Sequence, residues 1–327
     1  MNYSKILSPI EKELVLVENR WRACFQHAEN PVVENLNFLM VNSAGKRLRP
    51  ALTILSACAL NGDNREAFTP DLISAATAVE MLHAASLIHD DVIDSAPFRH
   101  DKPTINSSFG SDASIAFGDY IYSLSIKLTS DLNNPLIFKS FARSTSSLCE
   151  GELIQIIERK NFDLVPEQYF SIIKRKTASL FALSCELGAL VADSDNSREI
   201  VAMADFGLNF GMAYQISDDI RDIVGSRAEL GKDPGVDFCV EELTLPLILL
   251  LKDPKSGPET RHLLSMKDRA TAFEKIRQIA LESNALAVAR DFAIHHLNNS
   301  RTALIPTSDS VYKSSLLALT DWLLEKI

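Results

Sequence analysis

Two stretches of the chain carry aspartates at the same interval. Residues 89–94 read HDDVID and residues 214–222 read YQISDDIRD, which sets Asp90, Asp91 and Asp94, and again Asp218, Asp219 and Asp222, at positions i, i+1 and i+4. On a helix, i and i+4 share a face and i+1 lies close enough to i+4 to join them, so each triplet forms one carboxylate patch. Both patches sit in sequence made mostly of apolar residues. Like charges held together repel, and burial raises that cost. A cation relieves both penalties. Carboxylates without cysteine, and without a histidine pair at ligand spacing, suit a hard, oxygen-seeking ion, Mg²⁺ above all. A single patch would read as a solvated acidic helix end. Two patches facing each other across a bundle could clamp a polyphosphate through several metal ions, which neutralise charge on a departing diphosphate.

An anion held by metals on aspartates also needs cations, and these occur in tight local groups. AGKRLRP at 44–50 places Lys46, Arg47 and Arg49 just before a helix predicted to begin at Pro50, where free backbone N–H groups favour a phosphate. Lys174, Arg175 and Lys176 precede Thr177 in KRKTASLF, and Lys232 follows Gly231 in ELGKDPG. His89 alone reads as a histidine satisfied within the core or beside the metal ligands.

The elements that must position these residues are helices. Apolar periodicity predicts them over roughly 5–28, 31–43, 50–60, 70–97, 112–129, 134–158, 166–192, 197–224, 243–252, 269–283, 285–303 and 308–326. Strand-like alternation bounded by tight turns is absent from the sequence, and the breaks carry turn chemistry: NGDN at 61–64, DLNNP at 131–135, DSDNS at 193–197 and KDPKSGPE at 252–259. Thr69-Pro70 and Pro166-Glu167 read as helix starts. No linker or repeat divides the chain, so residues 1–327 are expected to form a single all-α domain with nearly apolar, buried central helices.

The chain has 46% hydrophobic residues and a formal charge of -10. That balance argues against nucleic acid or an anionic membrane surface as a partner. Five scattered cysteines without a CxxC suggest reduced, mostly buried thiols and a cytoplasmic location. MNYSKILSPIEKEL lacks the apolar core of a signal peptide, and runs such as LPLILLL fall short of the ~20 residues that cross a bilayer, so no transmembrane segment is expected.

Taken in order, GKRLRP, HDDVID with Arg99 and the PT at 103–104, GDYIYS, CEGELIQ, KTASLF, YQISDDIRD and TLP resemble the trans-isoprenyl diphosphate synthases, or polyprenyl synthetases, over roughly residues 4–325. The longer-chain bacterial members are the most similar. The resemblance implies an isoprenoid-synthase-type helical bundle around a central cavity, assembled as a homodimer. It implies Mg²⁺ on Asp90, Asp91 and Asp94 and on Asp218, Asp219 and Asp222, with Asp90, Asp94 and Asp218 leading. It assigns Arg99, Lys176, Thr177, Gln215 and Lys232 to the allylic diphosphate, and Lys46, Arg49 and His83 to isopentenyl diphosphate. The implied reaction ionises the allylic diphosphate to a carbocation, which the isopentenyl double bond attacks before a proton is lost.

The sequence departs from that pattern in two places. His100-Asp101 stand where the family has Arg-Gly, so His100 is left to hold isopentenyl diphosphate and can do so as a cation only when protonated. Glu241-Glu242 stand where it has Gly-Lys before TLP, which replaces a cation of the allylic site with a carboxylate. A cyclase-like use of the fold, or a non-catalytic partner subunit, is the alternative. Ala85 and Ser86, one turn before Asp90, are small where short-chain members carry bulky aromatics. The floor of the cavity is therefore expected deeper, near Met81, Leu82 or the 118–128 helix, with products longer than C15.

Overall fold

Thr69 starts the helix that carries the first aspartate patch. In the computed structural model, which describes residues 2–26, 30–41, 45–61, 69–99, 102–192, 197–225, 235, 238 and 241–327, its hydroxyl accepts from Leu72 N–H and Pro70 follows at the first helical position. A cap of this kind stabilises a helix end by about 1 kcal/mol. The described elements are α1 (Tyr3–Ile6), α2 (Glu11–Cys24), α3 (Pro31–Val41), α4 (Leu48–Asn61), α5 (Pro70–Ile93), a short antiparallel pair β1 (Phe98–Arg99) and β2 (Lys102–Pro103), α6 (Ile105–Phe109), α7 (Ser111–Ser130), α8 (Pro135–Ile157), α9 (Pro166–Ile173), a π-turn (Lys174–Ala178), α10 (Ser179–Val191), α11 (Ser197–Val224), α12 (Leu245–Lys252), α13 (Gly257–Leu264), α14 (Arg269–Glu282), α15 (Ala285–Ala303) and α16 (Val311–Leu324).

The aspartate-bearing helices α5 and α11 are the inner ones. Helix α5 packs on α7 and α4, α10 packs on α4 and α11, and α11 packs on α15. Leu52, Leu55, Phe181, Phe206, Phe210 and Leu319 fill the core on the α4–α16 side. Met81, Leu82, Ala85, Ile121, Phe141 and Leu183 fill the core between α5, α7, α8 and α10. Each buried Leu, Ile, Met or Phe side chain contributes about 1.5–3 kcal/mol. The same burial explains why α5, alone among the described helices, has the length and apolarity to cross a bilayer: 61% of that window lies inside the protein.

Several expectations need correcting. The helix after GKRLRP begins at Leu48 rather than Pro50, and α5 ends at Ile93 rather than 97, because Asp94 caps it. The segment KDPKSGPE does not stay a loop, since Pro258 sits in the first turn of α13, where its missing N–H costs nothing. β1 and β2 are a hairpin too short for alternation to reveal. Cys58 and Cys185 are buried and Cys24 is half-buried, but Cys149 is exposed; these four are free thiols, and Cys239 lies outside the described residues.

Candidate active site

At the end of α5 the three carboxylates meet different fates. Asp91 is buried and accepts Arg99 Nη2 at 2.8 Å and Nε at 2.9 Å, the arginine reaching in from β1. Asp94 accepts Arg159 Nη2 at 2.5 Å. Asp90 is half-buried and shares its surroundings with Lys176, Glu152, Arg99 and Asp94. Burial pushes its pKa up to about 7, and Glu152 and Asp94 add to that, while Lys176 and Arg99 pull against it.

The second patch is held differently. Asp219 is buried and its oxygens accept from Tyr169 Oη (2.6 Å), Gln215 Nε2 (2.8 Å) and Leu245 N–H (3.3 Å). It therefore ties α9, α11 and the start of α12 together. Burial outweighs these hydrogen bonds and raises its pKa to about 7. Asp222 is also buried. Asp218 is the open member, 43% exposed, with Arg221 3.7 Å away. Thus the leading aspartate of each motif, Asp90 and Asp218, stays available while the residues behind it are engaged by protein.

This donor set fits a divalent cation. It offers only oxygens, and carboxylates whose pKa burial raises to about 7, as at Asp90 and Asp219, signal negative charge short of compensation. Among the described residues no three Asp, Glu, His or Cys groups converge closely enough to hold an ion by themselves. Mg²⁺ characteristically takes one or two carboxylates and completes its shell with water and phosphate oxygens, which suits such an incomplete cage.

The basic wall rests on an irregularity of the backbone. Between α9 and α10, Lys174–Ala178 forms a π-turn, a one-residue distortion often found at functional sites. It presents Lys176 and Thr177. Lys176 Nζ lies 2.6 Å from Glu152 of α8, and Thr177 Oγ1 donates to Gln215 Oε1 at 2.9 Å, continuing the chain that ends on Asp219. Burial weakens the Lys176 ammonium, but Asp90, Glu152 and Glu242 outweigh it and raise its pKa to about 12. The π-turn fits because two neighbours lack side chains. A Cβ at Gly151 would fall 2.5 Å from Lys176 N, and one at Gly211 would fall 2.7 Å from Ala178 Cα.

The GKRLRP segment divides its work. Arg47, with φ at 50°, is tied to Glu18 (3.1 Å) and Glu80 (3.0 Å) and stacks 4.9 Å from the Trp21 ring, so it braces α2 against α5. Arg49 lies 4.4 Å over the Phe181 ring, and its buried Nε has no hydrogen-bond partner among the described residues. Lys46 is exposed; burial of its stem and the charges of Lys326 and Arg221 lower its pKa, while Asp218 raises it, which places it on the second-motif side. His83 has its pKa driven well below 6.5 by burial and by Arg49, Arg99 and Arg47, so at neutral pH it is an uncharged donor. His100 and Lys232 lie outside the described residues.

Sequence reasoning quoted Glu152 and Gln155 only within CEGELIQ, without a role, and passed over Arg159, although their spacing of three and four puts them on one face of α8 and its C-terminal turn, the same signal that exposed the aspartates. It also passed over Tyr169, whose only signal is its place in an amphipathic turn.

Comparison with known proteins completes the picture. The polyprenyl synthetase family model matches residues 30–281. An octaprenyl diphosphate synthase of Haemophilus influenzae is 30% identical over 90% of this chain and 88% of its own length. A heptaprenyl diphosphate synthase component 2 of Geobacillus stearothermophilus is 33% identical over 91% of this chain and 93% of its own. A crystal structure of a polyprenyl synthase from Caulobacter crescentus CB15, complexed with calcium and isoprenyl diphosphate, superposes with a TM-score of 0.89 at 28% identity, covering 99% of this chain and 97% of that one. Fold and site define an all-α isoprenoid synthase, a prenyltransferase. The chain belongs to the polyprenyl synthetase family.

Proposed function

We propose that the chain, acting as one helical domain over residues 1–327, condenses an allylic diphosphate with isopentenyl diphosphate to give a polyprenyl diphosphate longer than C15. The observation that carries this reading is the pair of available aspartates, Asp90 and Asp218, leading two otherwise engaged motifs on the inner helices α5 and α11. Mg²⁺ led by Asp90 and Asp218, with the other four aspartates grouped behind them, would neutralise charge on the leaving diphosphate. Lys176, Arg99, Thr177 and Gln215, with Lys232, hold that diphosphate, while Lys46, Arg49, His83 and His100 hold isopentenyl diphosphate. Neutral His83 contributes a hydrogen bond rather than a charge. The allylic C–O bond breaks, the electron pair leaves with the diphosphate, the isopentenyl double bond attacks the cation, and the released diphosphate takes the proton. Apolar walls below Asp90 keep water from the cation.

Product length follows from the same walls. Ala85 is buried beside Met81 and Leu82, so the position one turn below Asp90 itself carries no bulky side chain. Relatives named octaprenyl and heptaprenyl synthases support a long product. A homodimer in the cytoplasm completes the reading, supported by apolar side chains left exposed along one stretch of α8, among them Leu153 and Ile157, the latter 78% exposed. Purified protein should incorporate labelled isopentenyl diphosphate into a longer chain when given Mg²⁺ and a panel of allylic diphosphates. Product without label would support a cyclase instead, and bound diphosphate without turnover a partner subunit.

A further inference from the structure

The turn that follows α8 and the segment that leads into α12 carry opposite charges in register. Arg159 and Lys160 face Glu242 and Glu241. Arg159 Nη2 donates to Glu242 Oε1 at 2.9 Å, and Lys160 Nζ lies 2.8 Å from Glu241 Oε2. Gln155 Nε2 donates to the other Glu242 oxygen at 2.7 Å. Lys160 and Glu241 adopt φ values of 62° and 64° without being glycine, a backbone cost that persists only where surrounding contacts impose it.

Arg159 differs from its neighbour Lys160 in where it points. The Lys160–Glu241 pair is solvent-exposed, whereas the Arg159 side chain is 21% exposed and Glu242 is 13% exposed. The same Nη2 that meets Glu242 also meets Asp94 of the first motif. Its Nε is buried and has no hydrogen-bond partner among the described residues. A guanidinium carries five N–H donors in a fixed fork that matches phosphate oxygens, so this one holds unused donor capacity beside Asp94. An ion that takes Asp94 removes one of its two acceptors. The anion that arrives with the ions is the diphosphate.

We propose that Arg159 is a diphosphate-binding residue of the allylic site, with Glu242 as its positioning residue. In the metal-free protein Arg159 neutralises Asp94. When ions and diphosphate arrive it turns its free donors to the phosphate oxygens, and Glu242 keeps the side chain from swinging away. The carboxylate at 242 is then a support for a cation supplied from the turn after α8, and the pair accounts for Glu242 standing beside Lys176. This assignment rests on the function proposed above.

The test is calorimetric titration of inorganic diphosphate, in saturating Mg²⁺, into wild type, Arg159→Gln, Lys160→Gln, Glu242→Lys and the double variant Arg159→Gln/Glu242→Lys, each checked by thermal melting. A lost charge-assisted hydrogen bond predicts about a 10–100-fold weaker affinity for Arg159→Gln. Lys160→Gln makes the same change in formal charge one residue away and should stay within about twofold, as expected of an exposed pair. Glu242→Lys should restore at least about tenfold in the Arg159→Gln background, because it returns a cation to the site. In wild type it should restore nothing, because Arg159 loses its support and falls back on Asp94. If Arg159→Gln does not fold, Arg159→Lys replaces it, with a smaller loss expected. Wild-type affinity in Arg159→Gln, an equal loss in Lys160→Gln, or no rescue in the double variant would overturn the assignment. Label incorporation by wild type reports separately on the overall function. A protein that binds diphosphate through Arg159 yet elongates nothing keeps this assignment and loses that one.

Discussion

The two aspartate motifs have the same spacing, but their firmly held members are bonded by different kinds of partner. Around the first, the partners are cations: Arg99 on Asp91, Arg159 on Asp94, and Lys176 near Asp90. Around the second, the bonds to Asp219 come from neutral donors, namely Tyr169, Gln215 and the backbone of Leu245. Charged partners can be exchanged for metal ions at little net cost, since one cation replaces another. Neutral hydrogen bonds to a buried carboxylate build structure and are expensive to leave unmade. The first motif is therefore the exchangeable half of the site, and the second is a scaffold from which one residue, Asp218, projects.

The largest effect should come from the residue that each motif leaves available. Asp90→Ala and Asp218→Ala are each expected to lower label incorporation by at least about a hundredfold while leaving the helical circular dichroism unchanged. Near-native turnover in either variant would break the comparison at its root.

Next in size is the backbone support of the basic wall. Gly151→Ala places a methyl group 2.5 Å from Lys176 N, and neither backbone can yield cheaply. Overpacking of this kind costs about 1–3 kcal/mol, so the melting temperature should fall and the KM for the allylic diphosphate should rise together. A fall in melting temperature with unchanged KM would show that the π-turn serves packing alone.

A smaller effect separates the scaffold from the exchangeable half by pH. Folding raises the Asp219 pKa from 3.8 to about 7. The folded state therefore binds the proton more tightly, and stability from this group is present at low pH and lost as pH rises from the unfolded value through about 7. Asp219→Asn should thus melt higher relative to wild type at pH 8 than at pH 5 in metal-free buffer. His83 works in the opposite sense, since its lowered pKa costs stability as pH falls below 6.5, which is why the difference between the two proteins is the quantity to read. A difference independent of pH would mean that Asp219 is charged throughout.

The smallest loss of turnover is expected beneath the first motif. Ala85→Phe should shift the main product to a shorter chain while ionisation of the allylic diphosphate continues. If the product distribution stays fixed and only the melting temperature falls, Ala85 is packing against α7 and the growing chain runs elsewhere.

Much of this was legible in the sequence because it is local. The i, i+1, i+4 spacing of the aspartates, the Thr69-Pro70 start and the apolar faces of α5 and α11 all follow from helical geometry within one turn or two. What was not legible depends on distance along the chain or on small breaks in regularity. Arg159 meets partners 65 and 83 residues away, and nothing in the residues around Glu242 announces the arginine that it supports. The π-turn at Lys174–Ala178 adds a single residue to an otherwise continuous apolar pattern, so 166–192 reads as one helix when it is two helices joined by a distortion. The segment KDPKSGPE read as a break because it is rich in turn formers, whereas its Pro258, in the first turn, opens α13.

The central claim is that Asp90 and Asp218 would each help hold the divalent ions that bind diphosphate. Calorimetric titration of Mg²⁺ into the protein, with and without inorganic diphosphate, tests it most directly. The account predicts weak ion binding alone, strong binding once diphosphate is present, and loss of that enhancement in both Asp90→Ala and Asp218→Ala. Equal Mg²⁺ affinity with and without diphosphate, or an enhancement that survives in either variant, would contradict it.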